Sequence, residues 1–348
     1  MQKPEPKLAH MPENIKQLIS DSAPDIRTKF ALYQVSKEFQ STARKAPITY
    51  NHFKVELQVE KIKVSMEVGF LTDQGPHEVK KTLVMEFLAH EKGALRKNPT
   101  SNWEKILPRM DYRKAAVQYL LAYMGPKTKV EKFTFQGDKS LSRIESDKED
   151  RNFPAVYPKK KFEEDRKIIL DEIERAIQAK RRQLLVGTIE IRFWITTAHI
   201  VQILRCLKAG TLTNIVLKDS FPTICTHPKL DSLEQIFEMP QWKQAKCVDL
   251  EDYDCNIPVE QWAHFTKLRI CQRRPSISVK TIVEAFLNFT SLKELWVHCI
   301  EDFDETHDAN YYLEQLNLRA DSIGIYTMPD KTYIRVYNPR HLVRFHRH

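Results

Sequence analysis

Apolar and polar residues alternate in the first part of the chain after residue 50. The alternation runs over 53–59 and again over 62–70, and the segment KKTLVMEF follows at 80–87. A period of two is typical of strands with one buried face. The pattern predicts antiparallel strands, within a first region at 48–137 that would also hold one helix–strand unit.

A different pattern recurs along the rest of the chain: an apolar or small residue, two others, an apolar residue, one other, and a further apolar residue. Its copies begin at Val130, Val186, Leu212, Ala245, Phe265, Leu292 and Ala320. This pattern predicts strands. From the third copy onward the copies start 20 to 33 residues apart, which is the period of solenoids that pair one strand with one helix.

Segments between these strands carry apolar residues at helical spacing. Ile106 and Val117 precede the first copy, and Ile169, Ile173 and Ile177 precede the second. Strand and helix therefore alternate, which predicts a parallel sheet with helices on its outer face, in an irregular leucine-rich-repeat-like arc. A doubly wound α/β sheet is the alternative fold.

Composition shifts mark the remaining boundaries. The stretch 138–161 is polar, charged and proline-bearing, so it predicts a loop or linker before a repeat domain at 162–338. A basic tail follows at 339–348, and we expect it to be a solvated end. At the other end, residues 8–46 predict three short helices with too little apolar surface to form a domain alone.

The N-terminal block has an early Pro12, an apolar pair one turn later, and an ending L-x-x-V-S-K-x-F at residues 32–39. This order resembles a divergent F-box, which implies docking on the Skp adaptor of cullin-type ubiquitin ligases. Lys29, Tyr33, Gln34 and Phe39 depart from the usual motif. On this resemblance, ten residues would divide between the helical core and the Skp contact: Met11, Pro12, Ile15, Leu18, Ile19, Ile26, Phe30, Leu32, Val35 and Phe39.

The body of the chain resembles the FTH domain, the F-box-associated domain of a large family of nematode F-box proteins. The segments that carry the likeness are IVQILRCLKAGTLTNIVL (200–217), IFEMPQWKQAKCVDL (236–250) and SISVKTIVEAFLNFTSLKELWVHCI (276–300). The resemblance covers roughly 48–330 and is strongest at 160–300. It implies a substrate receptor in which the F-box holds Skp, and through it a cullin, while the associated domain captures a target protein.

The net charge of +9 at first suggests nucleic-acid binding. Five of the nine excess charges fall between Lys331 and the C-terminus, where no Asp or Glu occurs, and the rest of the chain is nearly balanced. This distribution argues against a broad nucleic-acid surface. Neither an apolar run of membrane-spanning length nor the apolar core of a signal peptide occurs, so we expect an intracellular protein, cytoplasmic or nuclear.

Candidate chemistry is sparse. Only eight glycines occur and none forms a phosphate-binding loop, while six scattered cysteines predict reduced, buried thiols. His341, His346 and His348 lack the spacing of a metal site. No catalytic constellation is recognisable, so we expect neither a cofactor nor an enzyme.

Target capture is expected on the strands. In such an arc the apolar residues of each strand point into the core, and the residues between and just after them project from the concave surface. The predicted face comprises Glu190, Arg192, Asp249, Glu251, Arg269, Trp296, His298 and Tyr326. Trp296 stands out as an interface anchor, although it could instead pack against an adjoining loop. Trp242, by contrast, is predicted to be core.

Three hypotheses of function remain at this point. The first is an adaptor that presents a target protein to a cullin-type ubiquitin ligase. The second is a protein-binding scaffold whose degenerate F-box no longer engages Skp. The third is a basic nucleic-acid binder, which would be retained on RNA or DNA in a salt-sensitive way.

Overall fold

A computed structural model describes thirteen segments of the chain, namely 49–58, 60–72, 75–101, 103–124, 127–137, 159–193, 195–218, 229–230, 232–272, 278–299, 325–327, 333–337 and 342–347. The predicted helical block at 8–46, with its ten candidate residues, lies outside them. The described residues fall into two compact units. Unit 1 holds 49–137, 159–187 and 206–208, and unit 2 holds the rest, so the division falls inside one strand.

Unit 1 is a mixed sheet with two helices. Its elements are β1 (Thr49–Gln58), β2 (Lys61–Thr72), β3 (Gly75–His90), β4 (Gly93–Asn98), β5 (Trp103–Pro108), α1 (Tyr112–Tyr123), β6 (Lys129–Gly137) and α2 (Lys159–Ala179). Strand β1 pairs in parallel with β6 and antiparallel with β2, and β2 to β5 continue as antiparallel neighbours. The antiparallel strands predicted from the alternating pattern are therefore confirmed.

The core of unit 1 lies between β1, β2 and the two helices. Val55, Ile62 and Val64 face α1 and α2 across a small apolar cavity. Helix α1 begins after Asp111, whose carboxylate accepts hydrogen bonds from the backbone N–H groups of Arg113 and Lys114 at 2.8 and 3.3 Å. Such a cap satisfies backbone donors that the first turn leaves unpaired.

Unit 2 contains the repeated strands. Its elements are β7 (Leu185–Arg192), which begins in unit 1, then α3 (Thr197–Cys206), β8 (Asn214–Lys218), β9 (Lys229–Leu230), α4 (Glu234–Phe237), α5 (Pro240–Gln244), β10 (Cys247–Cys255), β11 (Lys267–Gln272), α6 (Val279–Asn288), β12 (Glu294–Cys299), β13 (Ile325–Thr327), β14 (Tyr333–Tyr337) and β15 (Leu342–Arg347). A short 3-10 helix covers Val259–Gln261. Strands β7, β8, β10, β11 and β12 pair in parallel in that order, with β9 added beside β10.

The repeat pattern explains this register. The second apolar position of successive copies forms one continuous row, in which Ile189, Ile215, Val248, Leu268 and Leu295 are paired neighbours and at most 1% exposed. The first apolar position is also buried, and in four copies it lies just before the strand, at Leu212, Ala245, Phe265 and Leu292. Each of these four copies therefore buries one residue in the incoming turn and two in the strand.

Several expectations need correction. The sheet is mixed rather than parallel, because β15 returns antiparallel beside β12 and β14 joins it in the same sense. Residues 342–347, which we assigned to a solvated basic tail, form β15 with Phe345 and Arg347 buried. Ile106 was assigned to a helix but lies in β5, where it is 41% exposed. Helix α2, grouped by sequence with the second domain, belongs to unit 1.

Candidate interaction face

One face of the sheet in unit 2 carries the polar residues of the parallel strands. The register aligns Glu190, Val216, Asp249, Arg269 and Trp296 across neighbouring strands, and Arg344 of β15 stands opposite Trp296. Aligned residues project from the same side of a sheet. We call this side the polar face and define it by eleven residues: Glu190, Arg192, Lys218, Asp249, Glu251, Lys267, Arg269, Glu294, Trp296, His298 and Arg344.

Helix α6 packs against the opposite side. Phe286 of α6 stacks on Phe345 at a centroid distance of 4.9 Å, and Phe345 is the paired neighbour of Leu295 in the apolar row. Arg347 points the same way, since its guanidinium donates to the Phe286 carbonyl at 2.7 Å. Alternation along β15 thus sends Arg347 to the helix side and leaves Arg344 on the polar face.

Ion pairs link most charged members of the polar face. Glu294 is the best connected acid, since its side chain is 5% exposed and its oxygens lie 2.6 Å from the Arg269 guanidinium and 3.0 Å from Lys267 Nζ. Burial alone would raise the pKa of Glu294, but the hydrogen bonds from Arg269 and Lys267 outweigh that effect and hold the pKa below its usual value. Glu294 therefore stays ionised at neutral pH.

A second group of ion pairs lies on β7, β8 and β10 of the polar face. Lys218 Nζ contacts Asp249 at 2.9 Å and Glu251 at 3.6 Å, and Arg192 donates to Glu190 at 2.8 Å. Burial would lower the pKa of Lys218, but the hydrogen bond to Asp249 and nearby acids leave that pKa raised. Each of these charges therefore has a partner of opposite sign within 3.6 Å.

Trp296 lies between two guanidinium groups. The Arg269 guanidinium carbon is 4.1 Å from the indole centroid, and that of Arg344 is 4.0 Å from it. Both distances are well inside the range in which a cation is attracted to an aromatic face. The indole is partly exposed, and its Nε1 is buried with no acceptor among the described residues. Cations from both neighbouring strands therefore contact this ring.

The structure places seven of the eight predicted face residues on the polar face. Glu190 is 5% exposed rather than accessible, because Arg192 covers its carboxylate. Tyr326 is separated from the others by register. It pairs with Ile334, which pairs with Arg347, so Tyr326 is in step with the helix-side row rather than with Arg344. Sequence could not reveal this, since β13 joins the sheet through two antiparallel neighbours.

Four members of the polar face were missed by sequence reasoning. Lys218 directly follows a strand copy, as Arg192 does, and the same rule would have found it. Lys267 and Glu294 each stand two residues after the first apolar position of a copy, where the rule did not look. Arg344 lies in β15, which carries no copy of the repeat; only the alternation of Val343 and Phe345 around it hinted at a strand.

The described cysteines are not reactive candidates. Cys206, Cys247, Cys255 and Cys271 are free thiols, and all but Cys247 are buried. Burial raises the pKa of Cys206 and of Cys255 to about 12. Within the described segments no three His, Cys, Asp or Glu side chains converge to hold a metal ion. None of the described helices combines the length and apolar character needed to cross a membrane.

The sequence of this part of the chain matches one family model. Residues 167–311 match the family model of the FTH domain. The match runs from within α2 to beyond the end of β12 and so includes the parallel strands that build most of the polar face. The FTH resemblance drawn from the sequence is confirmed for these residues. No curated protein matches the chain.

Proposed function

We propose that this chain is a substrate-receptor subunit of a cullin-type ubiquitin ligase. In this proposal the F-box-like block at 8–46 holds the Skp adaptor, and the α/β repeat domain captures a target protein. The observation that carries the proposal is the FTH domain at 167–311, because that domain is associated with F-boxes and here follows an F-box-like block. The role requires binding surfaces and no catalytic group in this subunit.

The polar face supports the second half of the proposal. Interfaces are enriched in tryptophan and arginine, which combine a large contact area with directional hydrogen bonds. Trp296 and its two arginines supply that combination on a partly exposed sheet surface. Since neighbouring strands fix the register, these side chains are already ordered before a target arrives, which lowers the entropic cost of binding.

The first half is tested by direct binding of purified Skp to the full chain. Replacing Leu18 and Ile19 with aspartate places two charges on the apolar side of the first predicted helix. We expect this double variant to lose at least about tenfold in Skp affinity, because a buried unpaired charge is strongly unfavourable.

The matched control places the same two charges on the other side of that helix. Gln17 and Ser20 lie opposite the apolar positions at helical spacing, so a Gln17→Asp, Ser20→Asp variant should bind Skp as the unmodified chain does. If both double variants retain Skp, or if the unmodified chain never binds it, the F-box assignment fails. The chain would then be a protein-binding scaffold with a degenerate F-box.

A further inference from the structure

The two arginines that enclose Trp296 differ in their partners. Arg269 uses its in-plane donors on Glu294 at 2.6 Å and approaches Asp249 at 3.9 Å. Arg344 stacks on the other side of the indole. It has no carboxylate partner among the described residues, and it is partly exposed. The same ring therefore holds one paired and one unpaired guanidinium.

Among the charged residues of the polar face, Arg344 is again the one without a carboxylate partner. Its cations are Arg192, Lys218, Lys267, Arg269 and Arg344, and its carboxylates are Glu190, Asp249, Glu251 and Glu294. Each carboxylate is within ion-pair distance of one of the first four cations. The charge left over is that of Arg344.

Stacking prepares Arg344 for a carboxylate. A guanidinium is planar, and its five N–H donors point outward in the plane, so contact of one flat side with an indole leaves the donors accessible. Arg269 demonstrates the arrangement, since it stacks on the indole and binds Glu294 at once. A carboxylate of a bound peptide could pair with Arg344 in the same way, while Arg344 remains stacked on Trp296.

We propose that the polar face binds an acidic peptide segment of the target, with an Asp or Glu side chain paired to Arg344 beside Trp296. This inference rests on the proposed function, of which it specifies the target chemistry. A short segment that brings one carboxylate to Arg344 fits better than a nucleic acid, because Asp249, Glu251 and Glu294 stand on the same face and would repel the many further charges of a phosphate backbone.

The test is a selection of short randomised peptides on the full chain. The unmodified protein is expected to enrich peptides that carry an Asp or Glu at one fixed position, and Arg344→Gln is expected to lose that acidic enrichment. For a synthetic copy of the best acidic peptide, Arg344→Gln should weaken binding about tenfold or more, since one charge-assisted hydrogen-bonded pair is removed. Arg344→Lys, which keeps the charge without the planar fork, should retain part of the affinity.

Lys280→Gln is the matched control. It removes one positive charge from the exposed surface of α6, on a different side of unit 2, and it should leave the acidic enrichment unchanged. An absence of acidic enrichment would overturn the inference, and so would an enrichment that Arg344→Gln leaves intact. Tighter binding of single-stranded RNA than of the acidic peptide would overturn it as well. Melting curves establish that each variant is folded.

The failure of this inference is distinguishable from failure of the proposed function. Skp binding is measured on the same purified proteins and does not involve Arg344. Retained Skp binding without acidic selectivity would reject only the acidic target segment. Acidic selectivity that depends on Arg344, in a chain that binds no Skp, would reject the ligase role and support a protein-binding scaffold.

Discussion

Trp242 and Trp296, both in unit 2, are held in different ways. Trp242, in α5, is 2% exposed and packs against Phe237 and Phe265, with ring centroids 5.5 and 5.2 Å away. Trp296, in β12, is partly exposed and lies between two guanidinium groups. The first ring fills a core, whereas the second is presented on a surface by charges that keep their solvent contact.

The difference shows how one residue type can serve stability or recognition. Apolar contacts around Trp242 are lost altogether if the ring is removed, because a closed core cannot collapse fully around the space. The cations around Trp296 can return to water when that ring is removed, so less free energy is lost. Stability should therefore depend on Trp242 and binding on Trp296.

The largest expected effect is that of Trp242→Ala. Removing this ring should lower the free energy of unfolding by about 3 to 5 kcal/mol, the usual loss for a buried aromatic residue. Urea unfolding followed by circular dichroism measures it, and Trp242→Phe is the control that retains most of the packing. A melting temperature unchanged in the alanine variant would show that Trp242 is not part of the core.

Trp296→Ala should have a smaller effect on stability. Two partly exposed cation–π contacts contribute roughly 0.5 to 1 kcal/mol each, so we expect a loss of about 1 to 2 kcal/mol in the same unfolding experiment. Binding of the acidic peptide should fall in parallel. A stability loss as large as that of Trp242→Ala would remove the contrast and assign Trp296 to the core.

The Glu294→Gln variant should have a free energy of unfolding that depends less on pH. The pKa of Glu294 is lowered in the folded chain, so its carboxylate stabilises the fold above the unfolded value near 4.5, and this contribution disappears as pH falls through the folded pKa. Unmodified chain and variant should therefore differ most at neutral pH and converge in acid. Glu284→Gln, at a half-exposed site on α6, is the control for the loss of a surface carboxylate. A constant difference at every pH would contradict this role.

The smallest effect concerns the thiols. Because burial raises the pKa of Cys206 and Cys255 to about 12, few thiolates exist near pH 8 and the folded chain should label slowly at both positions. Mass spectrometry after brief treatment with a disulfide reagent locates the labels, and the same treatment in denaturant shows full reactivity. Rapid labelling of folded Cys206 or Cys255 would mean that the core around them opens readily.

Local patterns predicted the parallel strands well. The copies beginning at Val186, Leu212 and Phe265 each coincide with an observed strand, because a buried strand must repeat its apolar positions wherever a neighbour packs on it. The copies at Leu212 and Phe265 begin two residues before their strands, since their first apolar residue is in the preceding turn, whereas Val186 lies inside β7. Trp242 was also correctly assigned to the core, as its aromatic neighbours lie nearby in the sequence.

The remaining predictions were limited by pairing between strands that are far apart in the sequence. Strand β15 was taken for a tail because its partner β12 lies more than forty residues earlier, and basic residues in NPRHLVRFHRH obscured the alternation. Ile106 has helical spacing to Val117, but it lies in β5 as the antiparallel neighbour of Leu95. Arg344 could not be assigned to the polar face from sequence, because that assignment requires the register of two strands joined across the sheet.

Comparative affinity purification of the full chain, the Leu18→Asp, Ile19→Asp variant and Arg344→Gln, quantified by mass spectrometry, tests the central claim most directly. The claim is that adaptor and target are held by separate parts of one receptor. We expect the double variant to lose Skp and cullin and to keep its acidic-segment targets, and Arg344→Gln to show the reverse. Two results would contradict the account: loss of both groups of partners from either folded variant, or loss of neither group from both variants.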